Sequence, residues 1–261
     1  MLPDIYRETL ARHWGYTSFR PLQEEIIESV ISGRDTLALM PTGGGKSITY
    51  QLPAAARDGL CLVITPLIAL MKDQIRVLKE LNIKAMAIHS GMTRAEVEIA
   101  IDNCLYGDYK LLYISPERLD TPVFRSRLPR FNLNMVAVDE AHCISQWGYD
   151  FRPSYLRIAE IREMISPEVP FLALTATATP NVVKDIISRL GMKDPAVLQT
   201  SFRRPNITYA VREVEDKNSY VINTLSRNRG SGIIYVRSRK RSREIAEMLL
   251  ASGISADFYH A

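Results

Sequence analysis

Thr36-Leu37-Ala38-Leu39-Met40-Pro41-Thr42-Gly43-Gly44-Gly45-Lys46-Ser47 sets a short apolar run directly ahead of three glycines and a Lys-Ser pair. The run reads as a buried strand, and Ile48 to Ala56 can continue as a helix. Strand, glycine-rich loop, Lys-Ser, helix is the layout of a phosphate-binding loop. Glycines let successive backbone N–H groups turn inward around an anion, where a Cβ would obstruct them. The helix N-terminus adds unpaired donors and a favourable dipole. Thr42, Gly43, Gly44 and Gly45 would form the cradle. Lys46 would reach the β- and γ-phosphates, and the Ser47 hydroxyl would face Mg²⁺. Met40 stands where the usual pattern has glycine. A glycine turn with a chance lysine is the competing reading of this stretch taken alone.

On either side the chain is built to a regular plan. Residues 4–13 are amphipathic and stop at Gly15. A second helix is expected from Pro21, a residue suited to the first helical position, with Leu22, Ile26, Ile27, Val30 and Ile31 on one face. Downstream, strands are expected at Leu60–Thr65, Lys84–Ile88, Lys110–Ser115, Asn134–Asp139 and Pro170–Thr175. Helices are expected at Leu67–Leu81, Thr93–Leu105, Ser154–Met164 and Pro180–Leu190. Beyond Thr200 this alternation breaks, and strands are expected at 206–214, 232–236 and 256–259, with helices at 220–225 and 240–250. Unbroken apolar strands alternating with helices mean an α/β fold with a parallel sheet covered on both faces. Ligands of such sheets sit at the carboxyl ends of the strands. Gly43 to Ser47, Thr65, Ser115, Asp139-Glu140 and Thr175 all fall at such ends.

Asp139-Glu140-Ala141-His142 is the second chemical signal. Asp139 can hold Mg²⁺, directly or through water, and Glu140 can orient and deprotonate an attacking water. Two adjacent carboxylates repel, which a metal and a nearby lysine would offset. Together with the upstream loop, the pair implies phosphoryl transfer from a nucleoside triphosphate to water, in which positioning and electrostatics do most of the work.

Composition bounds the rest. The 261 residues suit one large or two ordinary domains, and a net charge of +4 is a mild hint of a polyanionic partner. No apolar run approaches ~20 residues, and no signal peptide opens the chain, so no membrane association is expected. Cys61, Cys104 and Cys143 are widely spaced in apolar contexts and read as reduced thiols of a cytosolic protein. His89 and His142 lack the spaced partners of a metal site.

The motifs, taken in order, resemble the N-terminal part of a RecQ-family DNA helicase of superfamily two. They are Phe19-Arg20-Pro21-Leu22-Gln23, Met40 to Ser47, Thr65 to Gln74, Ser115-Pro116-Glu117-Arg118-Leu119, Asp139 to Gly148, and Ala173 to Ala178. Methionine at position 40 is normal in that family. The resemblance implies a RecA-like sheet over residues 1–200. It also implies a linker and the incomplete start of a second RecA-like domain over 201–261, in a chain cut at Ala261. It implies ATP and Mg²⁺ as cofactors, single-stranded and duplex DNA as partners, a monomer, a bacterial cytoplasmic or nucleoid location, and 3′→5′ unwinding in recombination and repair.

By the same resemblance Tyr16 and Arg20 would stack on adenine and Gln23 would read its edge. Gln146 would sit near the triphosphate, and His142 would join the Asp139-Glu140 loop to Thr175 and Thr177, which couple nucleotide state to movement. Trp147, Phe151 and Arg152, in the aromatic-rich loop, would meet single-stranded bases and phosphates. Tyr149 stands where the family has histidine. Lys72, Arg94 and Arg118 are further candidates for phosphate contact, and the basic run Arg237–Arg243 for an anionic partner. The family's arginine fingers belong to the second lobe, beyond this sequence, so weak ATP binding and very slow hydrolysis are expected of this chain. An RNA helicase of the same superfamily and a non-catalytic nucleotide- or DNA-binding module are the alternatives.

Overall fold

The computed structural model describes residues 2–148, 150–201, 206–228 and 230–260. The readings placed on Tyr149, on linker residues 202–205 and on Ala261 lie outside them. The chain divides into two compact units, Met1–Arg203 and Arg204–Ala261.

The first unit runs α1 (Asp4–Trp14), α2 (Gln23–Ile31), β1 (Thr36–Leu39), α3 (Ile48–Ala56), β2 (Leu60–Ile64), α4 (Ile68–Glu80), β3 (Ala85–Ile88), α5 (Arg94–Tyr106), β4 (Leu111–Ile114), α6 (Pro122–Arg127), β5 (Leu133–Val138), β6 (Phe171–Thr175), α7 (Pro180–Arg189) and β7 (Ala196–Gln199). The seven strands form one sheet in the order β3-β4-β2-β5-β6-β1-β7, and every pairing is parallel.

Strand side chains alternate between two cores. Ala38, Met40, Cys61, Val63, Tyr113, Ala137 and Leu174 pack against α2, α3 and α4. Leu39, Leu62, Ile64, Ile114, Val138 and Ala173 pack against α5, α6 and α7. Each such burial contributes roughly 1.5–3 kcal/mol for a large aliphatic side chain. Helix α1 lies outside α2 and α3 through Tyr6, Leu10, Ile27 and Leu52. The register joins the tops of four strands: Met40 N donates to Thr175 O at 3.1 Å, and Asp139 N to Ile64 O at 2.8 Å.

Three points of the sequence reading need correction. Helix α2 starts at Gln23 rather than Pro21, because Arg20 N donates to the Gln23 side chain and Leu22 takes a left-handed turn at φ 68°. The segment 153–163 winds as a 3-10 helix of 11 residues rather than an α-helix. The short turns at 116–118 and 141–144 are also 3-10. Strand β7 was not expected. It is a half-exposed edge strand beside β1, held by Ala196 N to Asp35 O at 2.9 Å.

The second unit contains α8 (Lys217–Arg227) and α9 (Arg239–Ala251), joined by Arg241 Nη2 to Asn218 Oδ1 at 2.6 Å. The strands expected at 206–214, 232–236 and 256–259 are absent among its described residues. The basic run opens α9 behind a Ser238 cap. Arg241 and Lys240 pair with Glu244, and Arg243 pairs with Glu247. Those pairings are the ordinary surface of a charged helix, so the run gives no independent sign of an anionic partner.

Candidate active site

The loop after β1 is shaped by its glycines. Gly43 and Gly45 adopt φ of 81° and 79°, and a Cβ on Gly44 would stand 2.9 Å from Pro41 O. Met40 points away from this cradle into the core, 1% exposed, so methionine in place of glycine costs the loop nothing. Arg20 Nη1 donates to Gly43 O at 2.8 Å and Gln23 Nε2 to Gly45 O at 3.0 Å. Both ends of the Gln23 carboxamide are thereby engaged, one with the loop and one with Arg20 N. Gln23 is buried and braces the loop from behind. This geometry does not present its edge to a base.

A cleft of about 330 Å³ opens over the loop. Thr42, Gly43, Gly45, Lys46, Ser47, Asp139 and Glu140 line one part; Thr65, Met71, Gln74, Tyr50 and Tyr113 line another. Lys46 Nζ is 3.8 Å from Glu140 Oε1. Glu140 turns back toward Lys46 through a left-handed φ of 48°. Asp139 accepts from Glu140 N at 3.0 Å and from Thr65 Oγ1 at 3.4 Å, and its carbonyl accepts from Tyr155 OH at 2.9 Å.

The two carboxylates are driven apart electrostatically. Burial, then the Glu140 charge, pushes the Asp139 carboxyl above the usual range, with Lys46 partly opposing. The hydrogen bond from His142 holds Glu140 below its usual range, helped by Lys46. A divalent cation fits beside Asp139. It would relieve the repulsion that disfavours this carboxylate, and Ser47 supplies a hydroxyl in the same cleft. Among the described residues no group of three or more His, Cys, Asp or Glu side chains could hold a metal. That suits Mg²⁺, which keeps waters and takes one or two protein ligands plus phosphate oxygens.

His142 bridges two strand ends. Its Nδ1 lies 3.0 Å from Thr175 Oγ1 and 3.3 Å from Glu140 Oε2. Thr175 donates to Thr177 O and accepts from Thr177 N. That arrangement makes Nδ1–H the donor to both Thr175 and Glu140. The junction expected of His142, Thr175 and Thr177 is therefore present as a contact.

The loop after Glu140 is braced from below. Ser145 Oγ donates to Asp185 Oδ2 on α7 at 2.6 Å and accepts from Trp147 N. A Cβ on Gly148 would stand 2.8 Å from His142 O, so the chain passes here only as glycine. Trp147 is 73% exposed, so its ring does not pack beneath the loop. Phe151 is partly buried. Arg152 pairs with Asp150 at 3.0 Å and reaches Pro66 O at 3.4 Å.

Other site expectations fare unevenly. Tyr16 and Gln146 are exposed and neither lines the cleft. Arg118 donates to the carbonyls of His89, Ser90 and Met92, so its guanidinium braces a loop. Arg94 pairs with Glu98 one turn along α5, and Lys72 is exposed on α4. Sequence reasoning did not assign roles to Tyr50, Tyr113 or Gln74. The one available signal was Tyr50, one helical turn beyond Lys46. All three cysteines are buried and free. Among the described residues no helix is long and apolar enough to cross a membrane.

Residues 20–186 match the DEAD/DEAH box helicase family, and the chain belongs to that family. Its resemblance to RecQ-type helicases is borne out. It is 40% identical over 259 residues to the probable ATP-dependent DNA helicase RecS of Bacillus subtilis, covering 97% of this chain and 52% of that protein. It is 43% identical over 249 residues to the ATP-dependent DNA helicase RecQ of Pasteurella multocida, covering 95% of this chain and 39% of that protein. The chain thus spans about half the length, or less, of these relatives. The crystal structure of the DUF1998 helicase MrfA bound to DNA shares the fold, with a TM-score of 0.72 at 17% identity over 96% of this chain and 38% of that one.

Proposed function

We propose that residues 1–200 form the Mg²⁺-ATP-binding lobe of a RecQ-type 3′→5′ DNA helicase acting in recombination and repair, and that residues 201–261 lead into a second RecA-like lobe. The observation that carries this reading is the convergence of Lys46, Ser47, Asp139 and Glu140 in one cleft at the carboxyl ends of β1 and β5. The backbone around Gly43–Gly45 and the Lys46 ammonium suit a triphosphate. Ser47 and Asp139 would hold Mg²⁺, which supplies charge neutralisation at the transferring phosphoryl group. Glu140 stays ionised at neutral pH and can accept a proton from water, with His142 fixing its orientation. The exposed Trp147 ring offers a stacking platform for single-stranded DNA close to that centre. A DNA-acting protein of this kind belongs in the cytoplasm or nucleoid.

Hydrolysis by the 261-residue chain is expected to be slow. Among the described residues lining the cleft, Lys46 and Arg20 are the cations, and Arg20 is held by Gly43 O. Loss of an arginine finger lowers the rate by ~10³–10⁵ in related nucleotidases. The test is a titration of Mg²⁺-ATP with and without single-stranded DNA, followed by a turnover assay. Binding should be measurable and lost in Lys46→Ala, and phosphate release should be barely above background. A DNA-stimulated turnover near ~10 s⁻¹, ordinary for an enzyme, would overturn the slow-hydrolysis reading. Binding unaffected by Lys46→Ala would overturn the site.

A further inference from the structure

Tyr155 is among the largest fully buried side chains, 0% exposed, and it carries a hydroxyl into an apolar core. A buried hydroxyl is costly unless it is bonded. Its bond goes to the carbonyl of Asp139, at 2.9 Å. A phenylalanine would fill the same space without that cost, so the use of the hydroxyl is to be found at Asp139.

Strand β5 ends at Val138, and the peptide joining Asp139 to Glu140 lies just beyond it. Both sides of that peptide are held. Its C=O accepts from Tyr155, and its N–H donates to Asp139 Oδ1 at 3.0 Å. The hold has something to resist. Glu140 is not glycine, yet its φ is 48°, a left-handed setting disfavoured about tenfold. Turning the peptide over would carry φ to about −130°, in the broad region open to every residue. Because the peptide is planar, that half-turn also exchanges its two sides. Asp139 Oδ1 would lose an N–H donor and face a carbonyl oxygen, with Thr65 Oγ1 left as a long contact at 3.4 Å. A carboxylate already disfavoured by burial and by Glu140 would then be disfavoured further.

Tyr155 is itself held from several sides. Its N–H donates to Arg152 O at 2.9 Å, and Arg152 N donates to Cys143 O at 2.8 Å. On the same 3-10 segment Ser154 Oγ donates to Glu117 Oε1 at 3.1 Å, Arg157 pairs with Asp120 at 2.6 Å, and Glu160 pairs with Arg125 at 2.8 Å. The hydroxyl therefore reaches Asp139 from an anchored support.

We propose that Tyr155 is a positioning residue whose hydroxyl holds the Asp139–Glu140 peptide in its left-handed setting, keeps the Glu140 N–H on Asp139 Oδ1, and so fixes the Asp139 carboxylate for Mg²⁺. This inference rests on the reading of Asp139 as a metal ligand.

Calorimetric titration of the 261-residue chain with ATP, once in Mg²⁺ and once in EDTA, tests it. Tyr155→Phe keeps the ring and removes the hydroxyl. The gain in affinity given by Mg²⁺ should fall about tenfold, the usual effect of losing a group that orients a metal ligand, while metal-free ATP binding stays within twofold. Ile158→Val, buried in the same segment, is the packing control. It should lower stability and leave the gain within twofold. Asp139→Asn should lose the gain, and adding Tyr155→Phe to it should change nothing further. An equal loss of the gain in Ile158→Val would overturn the proposal, because the tyrosine would then merely support the fold. Full retention in Tyr155→Phe beside loss in Asp139→Asn would overturn the positioning role alone. Retention in Asp139→Asn would overturn the metal reading, and the positioning role with it. Should Tyr155→Phe not fold, amide hydrogen exchange of the unaltered chain decides. Protection of the Glu140 N–H by more than about tenfold over a free loop amide supports the hold, and less overturns it.

Discussion

Asp35 and Asp139 stand at opposite ends of one parallel sheet, the first just before β1 and the second just after β5. Asp35 is 7% exposed and fully answered. Arg162 meets both carboxylate oxygens, at 3.0 and 3.4 Å, and the backbone N–H groups of Phe171 and Lys193 donate at 2.9 and 3.2 Å. Arg162 in turn lies 3.9 Å above the Phe171 ring. Asp139 has one short backbone bond, one long bond from Thr65, and a second carboxylate beside it. The amino end of the sheet thus closes its charge with protein groups. The carboxyl end leaves its charge partly open, and an external cation can complete it. Residue type is the same at both ends; the difference lies in who supplies the counter-charge.

The largest expected effect breaks the closed end. Asp35→Ala leaves the Arg162 guanidinium without its partner and orphans two N–H groups. Unfolding free energy, measured by denaturant titration, should fall by about 3–5 kcal/mol, much of a typical domain's margin. The opposite result is expected at the open end. Asp139→Asn removes a disfavoured charge, so stability should hold or rise by up to ~1 kcal/mol, while Mg²⁺-dependent ATP binding drops at least tenfold. A loss of stability there comparable to that of Asp35→Ala would erase the contrast.

The pH dependence carries the same sign. The Asp139 carboxyl is raised in the folded state, so its protonated form adds stability below its ordinary value of 3.8. That contribution is lost as pH rises through the raised value. Mg²⁺-ATP binding should move the other way, weakening on acidification before an ordinary aspartate would titrate. Stability and binding followed in parallel against pH would show the two curves crossing, and Asp139→Asn should flatten this component of the stability curve. The smallest effect on the fold is expected for Trp147→Ala. Its side chain is mostly in solvent, so stability should stay within ~0.5 kcal/mol. Affinity for single-stranded DNA should fall by ~1–3 kcal/mol if bases stack there, measured by fluorescence anisotropy.

Much of the open end was legible in the sequence. Its parts are local: a strand, three glycines and Lys46-Ser47, then a strand and Asp139-Glu140. The closed end was not, because Asp35, Arg162 and Lys193 meet only through the sheet order, and no short motif marks them. Strand β7 was missed for a related reason. Ala196–Gln199 is a half-exposed edge strand paired with β1. The error at 206–214, 232–236 and 256–259 has the opposite cause. Apolar runs promise strands, but a strand needs a neighbour for its backbone groups, and the described residues there provide none. Gln23 and Arg118 take ligand roles from the family resemblance, yet in the structure each donates to backbone carbonyls within reach.

The 3-10 segment at 153–163 bears on distance. A 3-10 helix rises about 2.0 Å per residue and an α-helix about 1.5 Å, so its 11 residues are drawn out to about 22 Å where an α-helix would span about 16 Å. The stretch connects the Trp147–Arg152 loop to β6, whose far end holds Thr175 against His142. Rewinding it into α form would shorten the stretch by about 5 Å with every residue still helical.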